Sequence, residues 1–189
     1  MQDLKQLLAD CGALLEGHFQ LTSGRHSDRY VEKFRLIEQP RYLDEAAQAM
    51  VAGIDPDSVD IVLGAAVGGI LIAGAVARHL DRRTMFTERV DGVMTLRRGF
   101  ELGPQDRVLI VEDIVSTGGS VVELINVAQA AGATIVQVSC LVDRTLDGIK
   151  FDVPSKALLR MPIASWEPEE CPLCKEGIPI QNRGRSGKK

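Results

Sequence analysis

Aromatic side chains make up only 4% of this 189-residue chain, so its core must be aliphatic. Basic excess is also missing. The net charge is −4 and the pI near 5.4, which argues against a nucleic-acid binder with its usual basic stripe. No lysine lies between Lys33 and Lys150. That excludes a Walker A loop, which needs Gly-Lys-Ser/Thr. The opening MQDLKQLLAD lacks the cationic start and apolar core of a secretory signal, so a cytoplasmic, reducing setting is expected. Charge is absent from one long apolar run, IVLGAAVGGILIAGAVA, from Ile61 to Ala77. It holds a G-x-x-x-G, Gly64 to Gly68, but is short for a membrane span. With Gly64, Gly68 and Gly69 as punctuation, the expected reading is a buried strand, a glycine turn and a buried helix, with no membrane partner.

What is present suits one compact domain, with 45% apolar residues. Leu4, Leu7, Leu8, Leu14 and Leu15 predict an amphipathic first helix ending near Gly17. HFQLTSGRHSDRYVEKFRL alternates in places and predicts a hairpin or irregular strands around its SGR turn. Pro40 opens a helix to about Ala52. Continuous apolar strands are expected at DIVLG, Thr84 to Thr87, RVLIVED and ATIVQVSCLVDR, with a short edge strand in ALLRMPI. Helices are expected at VGGILIAGAVARHL and SVVELINVAQAAG. Such alternation predicts an α/β fold: a central parallel sheet with helices on both faces. Residues 88–104 read as a long loop or ribbon. The domain spans 1–165, and 166–189 is expected to be an extended tail with a mobile QNRGRSGKK end.

One stretch asks for a ligand: RVLIVEDIVSTGGSVVELI, residues 107–125. Ligands of open parallel sheets bind beyond the carboxyl ends of the strands, where Glu112 and Asp113 fall. The amides of Ser116 to Ser120 then precede a helix N-terminus, which favours a phosphate. Gly118 and Gly119 permit close approach, and Ser116, Thr117 and Ser120 add hydroxyls. The dinucleotide fold places its acid about twenty residues after the loop; here the acids precede it directly. Carboxylates so placed would repel a phosphate unless a sugar lay between them. A ribose 5-phosphate fits, with hydroxyls on the acids and phosphate in the loop. VLIVED alone favours an ordinary capped strand–turn–helix; the adjoining STGGS turns the reading to the sugar phosphate.

VLIVEDIVSTGGS is similar to the ribose-phosphate signature of type I phosphoribosyltransferases, which use phosphoribosyl pyrophosphate (PRPP) and Mg²⁺. The resemblance implies that Glu112, Asp113, Ile114, Val115, Ser116, Thr117, Gly118, Gly119 and Ser120 bind PRPP. It places Asp113 near the ribose carbon that gains positive charge, and Mg²⁺ on PRPP rather than directly on the protein. Gly64 to Gly69 would offer amides to the pyrophosphate. GHFQLTSGRHSDRYVEKF resembles the N-terminal segment of orotate phosphoribosyltransferases, where the SGR turn helps form a base-binding hood, here mainly residues 1–40. LVDRT also matches, so Arg144 would meet the base's carboxylate; a guanidinium fork suits that group. Ser116 and Tyr30 complete the implied orotate site. The resemblance covers about residues 12–150. It implies the type I phosphoribosyltransferase fold and synthesis of orotidine monophosphate for pyrimidine (UMP) synthesis. It also implies a lid at 88–104 and a homodimer. Two alternatives stay open: another base as acceptor, or a PRPP-sensing regulator.

The chain departs from the family pattern in its cations. Many orotate enzymes carry lysine before the SGR turn and in the pyrophosphate turn, where this chain has Thr22 and Ala66-Val67-Gly68-Gly69. Their catalytic loop carries lysines and a histidine. Here FTERVDGVMTLRRGFELG offers only Arg89, Arg97 and Arg98. Every cation near the leaving pyrophosphate is therefore expected to be arginine, with Arg89 also on PRPP. Arginine cannot donate a proton near neutral pH. Arg97-Arg98 reads equally as a solvated hairpin tip. Cys11 and Cys140 read as lone buried thiols. Cys171-x-x-Cys174 could bind zinc, but zinc wants four ligands and the tail has no histidine. A partner subunit could supply the rest; a packed or redox-labile thiol pair is the other reading. His26 reads as a surface turn residue or a ligand contact.

Overall fold

A computed structural model describes residues 3–21 and 23–182. Helix α1 (Leu4–Asp10) is capped by the Asp3 carboxylate and buries Leu4, Leu7 and Leu8. It stops well before Gly17. Gly12 turns left-handed at φ 68°, and Leu14 and Leu15 open strand β1 (Leu14–Gln20) instead. The leucine spacing fits a helix, but the glycine ends it. Strand β2 (His26–Val31) pairs antiparallel with β1 across the SGR turn, so this segment is a hairpin. A short α2 (Phe34–Ile37) leads into α3 (Pro40–Val51), with proline in its first turn.

The uncharged run divides as the glycines require, into β3 (Ile61–Ala65), a turn and α4 (Gly68–Leu80). No helix among the described residues is long and apolar enough to cross a membrane. Strand β4 (Arg83–Val90) continues beyond Thr87 and returns as β5 (Val93–Leu96). Asp91 and Gly92, at φ 50° and 84°, make the two-residue turn. Positive φ at both positions matches the strand twist, which is why the segment is a ribbon. Strand β6 (Arg107–Val115), helix α5 (Gly119–Ala130), β7 (Thr134–Asp143) and β8 (Ser155–Arg160) complete the main sheet. Its order is β5-β4-β3-β6-β7-β8, parallel except for the β4–β5 pair.

Alternate residues of the central strands feed two cores. Val62, Leu109 and Val111 face α3 and α4, while Ile61, Leu63, Val108 and Ile110 face α5. This period of two puts helices on both faces. Cys11 and Cys140 are buried, and burial pushes the Cys140 thiol up to about 12, so it stays protonated and inert.

The tail differs from a plain extension. Trp166 exchanges backbone hydrogen bonds with His26 at 2.8 and 2.9 Å. A helical turn, α6 (Pro172–Lys175), follows, and β9 (Gln181–Asn182) lies parallel to β1. The segment therefore docks on the hood hairpin, because β1 would otherwise present an open edge. Residues 183–189, most of the QNRGRSGKK end, lie outside the described residues, as does Thr22.

Candidate active site

Glu112 and Asp113 lie near the carboxyl end of β6, flanked by β3 and β7, and both are buried. Glu112 Oε1 accepts from the Asp113 amide at 3.0 Å, and Asp113 Oδ1 from the Ile114 amide at 2.6 Å. Burial, then the neighbouring Asp113 charge, holds Glu112 above the usual carboxylate range. Asp113 has a cation. Lys33, just after β2, forms an ion pair with its Oδ2. Lys33 is thus a cation at this acid pair that the expectation of arginines did not include. It is separated from Asp113 by eighty positions, and no local pattern marks it.

The β3–α4 turn brings Gly68 against the same pair. A Cβ on Gly68 would overlap the Asp113 carboxylate and lie 3.1 Å from Lys33 Nζ. One on Gly64 would overlap the Gly69 carbonyl. These glycines let the turn, Asp113 and Lys33 share one small volume. The Ala66–Val67 peptide in this turn is cis.

The β6–α5 loop opens beside them. Ser116, Thr117, Gly119 and Ser120 are exposed at the start of α5. Gly118 adopts φ 81°, and a Cβ there would press on the Phe151 ring at 3.0 Å. The loop, with Glu112, Ile114 and Val115, lines a cavity of about 130 Å³. First-turn amides without helical acceptors face an anion placed here. A larger cavity of about 410 Å³ opens near Asp60, Arg83 and Asp106, toward the amino ends of the strands. Two of its three acids are already bonded to arginine, Asp60 to Arg107 and Asp106 to Arg83.

Arg144 follows β7. Its amide donates to the Val115 carbonyl at 2.8 Å, which sets it beside Ser116. Its Nε is buried and has no hydrogen-bond partner among the described residues. Burial lowers the pKa of this guanidinium, and Tyr30 acts electrostatically to raise it. Tyr30 in turn lies 5.6 Å from the Phe19 ring, centroid to centroid. The hood and the sheet edge thus meet at Arg144.

The three loop arginines are divided. Arg89 bonds Glu123 on α5 and the Gly92 carbonyl. Arg98 forks onto Glu88 at 2.8 and 2.9 Å from a left-handed φ of 63°, which costs a side-chain-bearing residue about 1–2 kcal/mol. Arg97 is exposed and makes no ion pair among the described residues, though its charge acts on Glu88. None of the three is held at Asp113 in this conformation.

A doubly covered parallel sheet with acids and a glycine-hydroxyl loop at its carboxyl edge defines a sugar-phosphate site. The phosphoribosyl transferase domain family matches residues 37–150, and this chain belongs to that family. An orotate phosphoribosyltransferase of Thermotoga maritima is 44% identical over 186 residues, 98% of this chain and 100% of the relative. One of Heliobacterium modesticaldum is 50% identical over 174 residues, covering 91% of each. The crystal structure of the Aeropyrum pernix orotate phosphoribosyltransferase superposes with TM-score 0.71 at 26% identity, covering 84% of this chain and 93% of that one. The branch of the family that holds this chain is the orotate phosphoribosyltransferases.

Proposed function

We propose that this chain transfers the 5-phosphoribosyl group of PRPP to orotate, releasing orotidine 5′-monophosphate and pyrophosphate for pyrimidine synthesis. One observation carries the choice of base. Arg144 holds a buried Nε–H with no partner among the described residues, at the edge of the phosphate loop. Buried donors are otherwise nearly always paired, and a planar carboxylate on the acceptor base satisfies this one. A purine base has no such group.

The ribose hydroxyls bind Glu112 and Asp113, and the 5-phosphate meets the amides and hydroxyls of Ser116 to Ser120. The C1–oxygen bond breaks and its electron pair leaves on pyrophosphate. The ring nitrogen of orotate gives up its proton to solvent and supplies the pair for the new C1–N bond. Asp113 faces the positive charge that grows on the ribose. Lys33, beside Gly68, places a cation at the pyrophosphate turn; unlike arginine it can exchange a proton. Carboxylates and PRPP oxygens are hard donors that suit Mg²⁺, which would sit on PRPP near Glu112 and Asp113 and neutralise pyrophosphate charge. Arg97, free of ion pairs among the described residues, is the loop cation available to pyrophosphate when the 88–104 ribbon closes. The chain works in the cytoplasm as a homodimer; exposed Val67, just before α4, and Leu71 on it support the pairing.

Orotate absorbance, followed after mixing protein, Mg²⁺, PRPP and orotate, tests this. Loss of signal dependent on PRPP and Mg²⁺, and abolished in Arg144→Ala while PRPP still binds, is expected. Turnover of another base but not orotate would discard the role of Arg144.

A further inference from the structure

Apart from the phosphate loop and its acids, four side chains from two ends of the sequence converge. His18 on β1 and His26 on β2 meet Cys171 and Cys174 of the α6 turn, and their ligand atoms all lie within 4.8 Å of one another. His18 Nε2 is 3.0 Å from His26 Nδ1, 3.5 Å from Cys171 Sγ and 3.8 Å from Cys174 Sγ. Cys174 Sγ is 3.3 Å from His26 Nδ1. A tetrahedral zinc with Zn–S of about 2.3 Å and Zn–N of about 2.0–2.1 Å requires edges of about 3.3 Å between nitrogens and about 3.5 Å between nitrogen and sulfur. The four measured edges match that tetrahedron to within half an ångström.

We propose that His18, His26, Cys171 and Cys174 form a structural Cys₂His₂ zinc site that fastens the C-terminal segment to the hood hairpin. The ligand chemistry is selective: two soft thiolates with two imidazoles suit zinc rather than Mg²⁺. The charges balance. Each thiol gives up its proton on binding, and two thiolates neutralise the ion, which suits a place where His18, His26 and Cys171 are buried and Cys174 is exposed. The outer shell is also built. His18 Nδ1 lies 2.7 Å from the Ile178 carbonyl. A proton on Nδ1 donated there leaves the Nε2 lone pair facing the cluster, the usual second partner of a zinc-bound histidine. The β1–β2 register shifts between Glu16 and Phe19, and such a bulge re-aims the side chain it carries, here His18. With four ligands from one chain, no partner subunit is needed.

The clamp has a consequence for the turn. Arg25, next to His26, bonds Ser165 Oγ at 2.9 Å and the Ser165 carbonyl at 2.6 Å, and pairs with Glu167. The metal therefore closes the strap that already holds the SGR turn. It is independent of the transfer reaction, so it stands or falls separately from the choice of orotate.

Elemental analysis of the untagged full chain, grown with zinc and desalted, is the test. One zinc per chain is expected, and almost none in Cys171→Ser/Cys174→Ser. Wild-type protein stripped by a chelator should bind Co²⁺ with the visible bands of a tetrahedral, thiolate-ligated ion, and His18→Gln should alter those bands. This arm needs no folded cysteine variant. Stripping should lower Tm by roughly 5–10 °C, the shift given a domain of this size by a ligand at about a hundred times its Kd. Wild-type protein that holds no zinc, takes up Co²⁺ without those bands, and shows the two cysteines free or disulfide-bonded would overturn the proposal.

Discussion

The phosphate loop and the base side of the same cleft are built in opposite ways. The loop is contiguous. Glu112 to Ser120 come from one strand end and one helix start. The proposed base side draws on Tyr30 of β2 and Arg144 after β7, with Lys33 reaching in to Asp113. A contiguous loop holds its shape through local backbone rules, such as the left-handed Gly118. A dispersed site depends on the whole fold and on what pins the hood to the sheet. Substitutions on the two sides should therefore fail differently.

The largest effect is expected at Arg144. Arg144→Ala removes a charge-assisted contact worth about 4 kcal/mol to bound orotate, roughly 10³-fold in kcat/KM for orotate. PRPP affinity should stay, because no loop residue is touched. Without substrate, the variant should be no less stable than the wild type, since a buried guanidinium with an orphaned Nε is lost. A variant that melts well below the wild type would assign Arg144 to the fold rather than to the base. Lys33→Met comes next. It leaves Asp113 buried without its cation and should lower kcat roughly 10²-fold. KM for orotate should change little, which steady-state kinetics at saturating PRPP would read. If orotate KM rises instead, Lys33 belongs to the base side.

Legibility follows the same division. VLIVEDIVSTGGS places acids, turn and helix start within a dozen positions, so chemistry and local structure are readable together. The strand–helix alternation and the Gly64–Gly69 turn are readable for the same reason. Lys33 is not, because nothing near it in sequence announces Asp113. Nor is the His18–His26–Cys171–Cys174 cluster, in which the C-x-x-C is visible but its histidines lie some 150 positions away. The first helix was misleading in another way: leucines at Leu14 and Leu15 continue the helical spacing, but Gly12 stops the helix. The Asp91-Gly92 pair, by contrast, is a hairpin signal that specifies the ribbon in what otherwise reads as a loop.

Arg97 sharpens the comparison within that ribbon. Arg89 and Arg98 are occupied by Glu123 and Glu88, whereas Arg97 is exposed without an ion pair among the described residues. Arg97→Ala should lower kcat/KM for PRPP roughly tenfold, about 1.4 kcal/mol. Its Tm should stay within about 2 °C of the wild type, since an exposed charge contributes little to stability. Equal losses from Arg89→Ala and Arg97→Ala would mean that the ion pairs open when the ribbon closes.

The smallest effect separates folding from binding at one carboxyl group. Glu112 is held above its free value of 4.5 by burial and by Asp113. The folded state therefore binds its proton more tightly than the unfolded chain does. Stability from this group is fully present below the free value and is lost as pH rises through the higher folded value. Glu112→Gln keeps the shape and removes the ionisation. Its Tm should equal that of the wild type in mildly acid solution and exceed it by a few degrees in mildly alkaline solution, at roughly 2–4 °C per kcal/mol. PRPP should bind the variant more weakly in mildly alkaline solution, where the wild type offers the ribose hydroxyls an anionic acceptor. Parallel melting curves for variant and wild type across that range would mean that Glu112 is ionised in the free protein. The acid pair would then be held apart by Lys33 alone, and the contiguous side of the cleft would depend on a distant residue as much as the base side does.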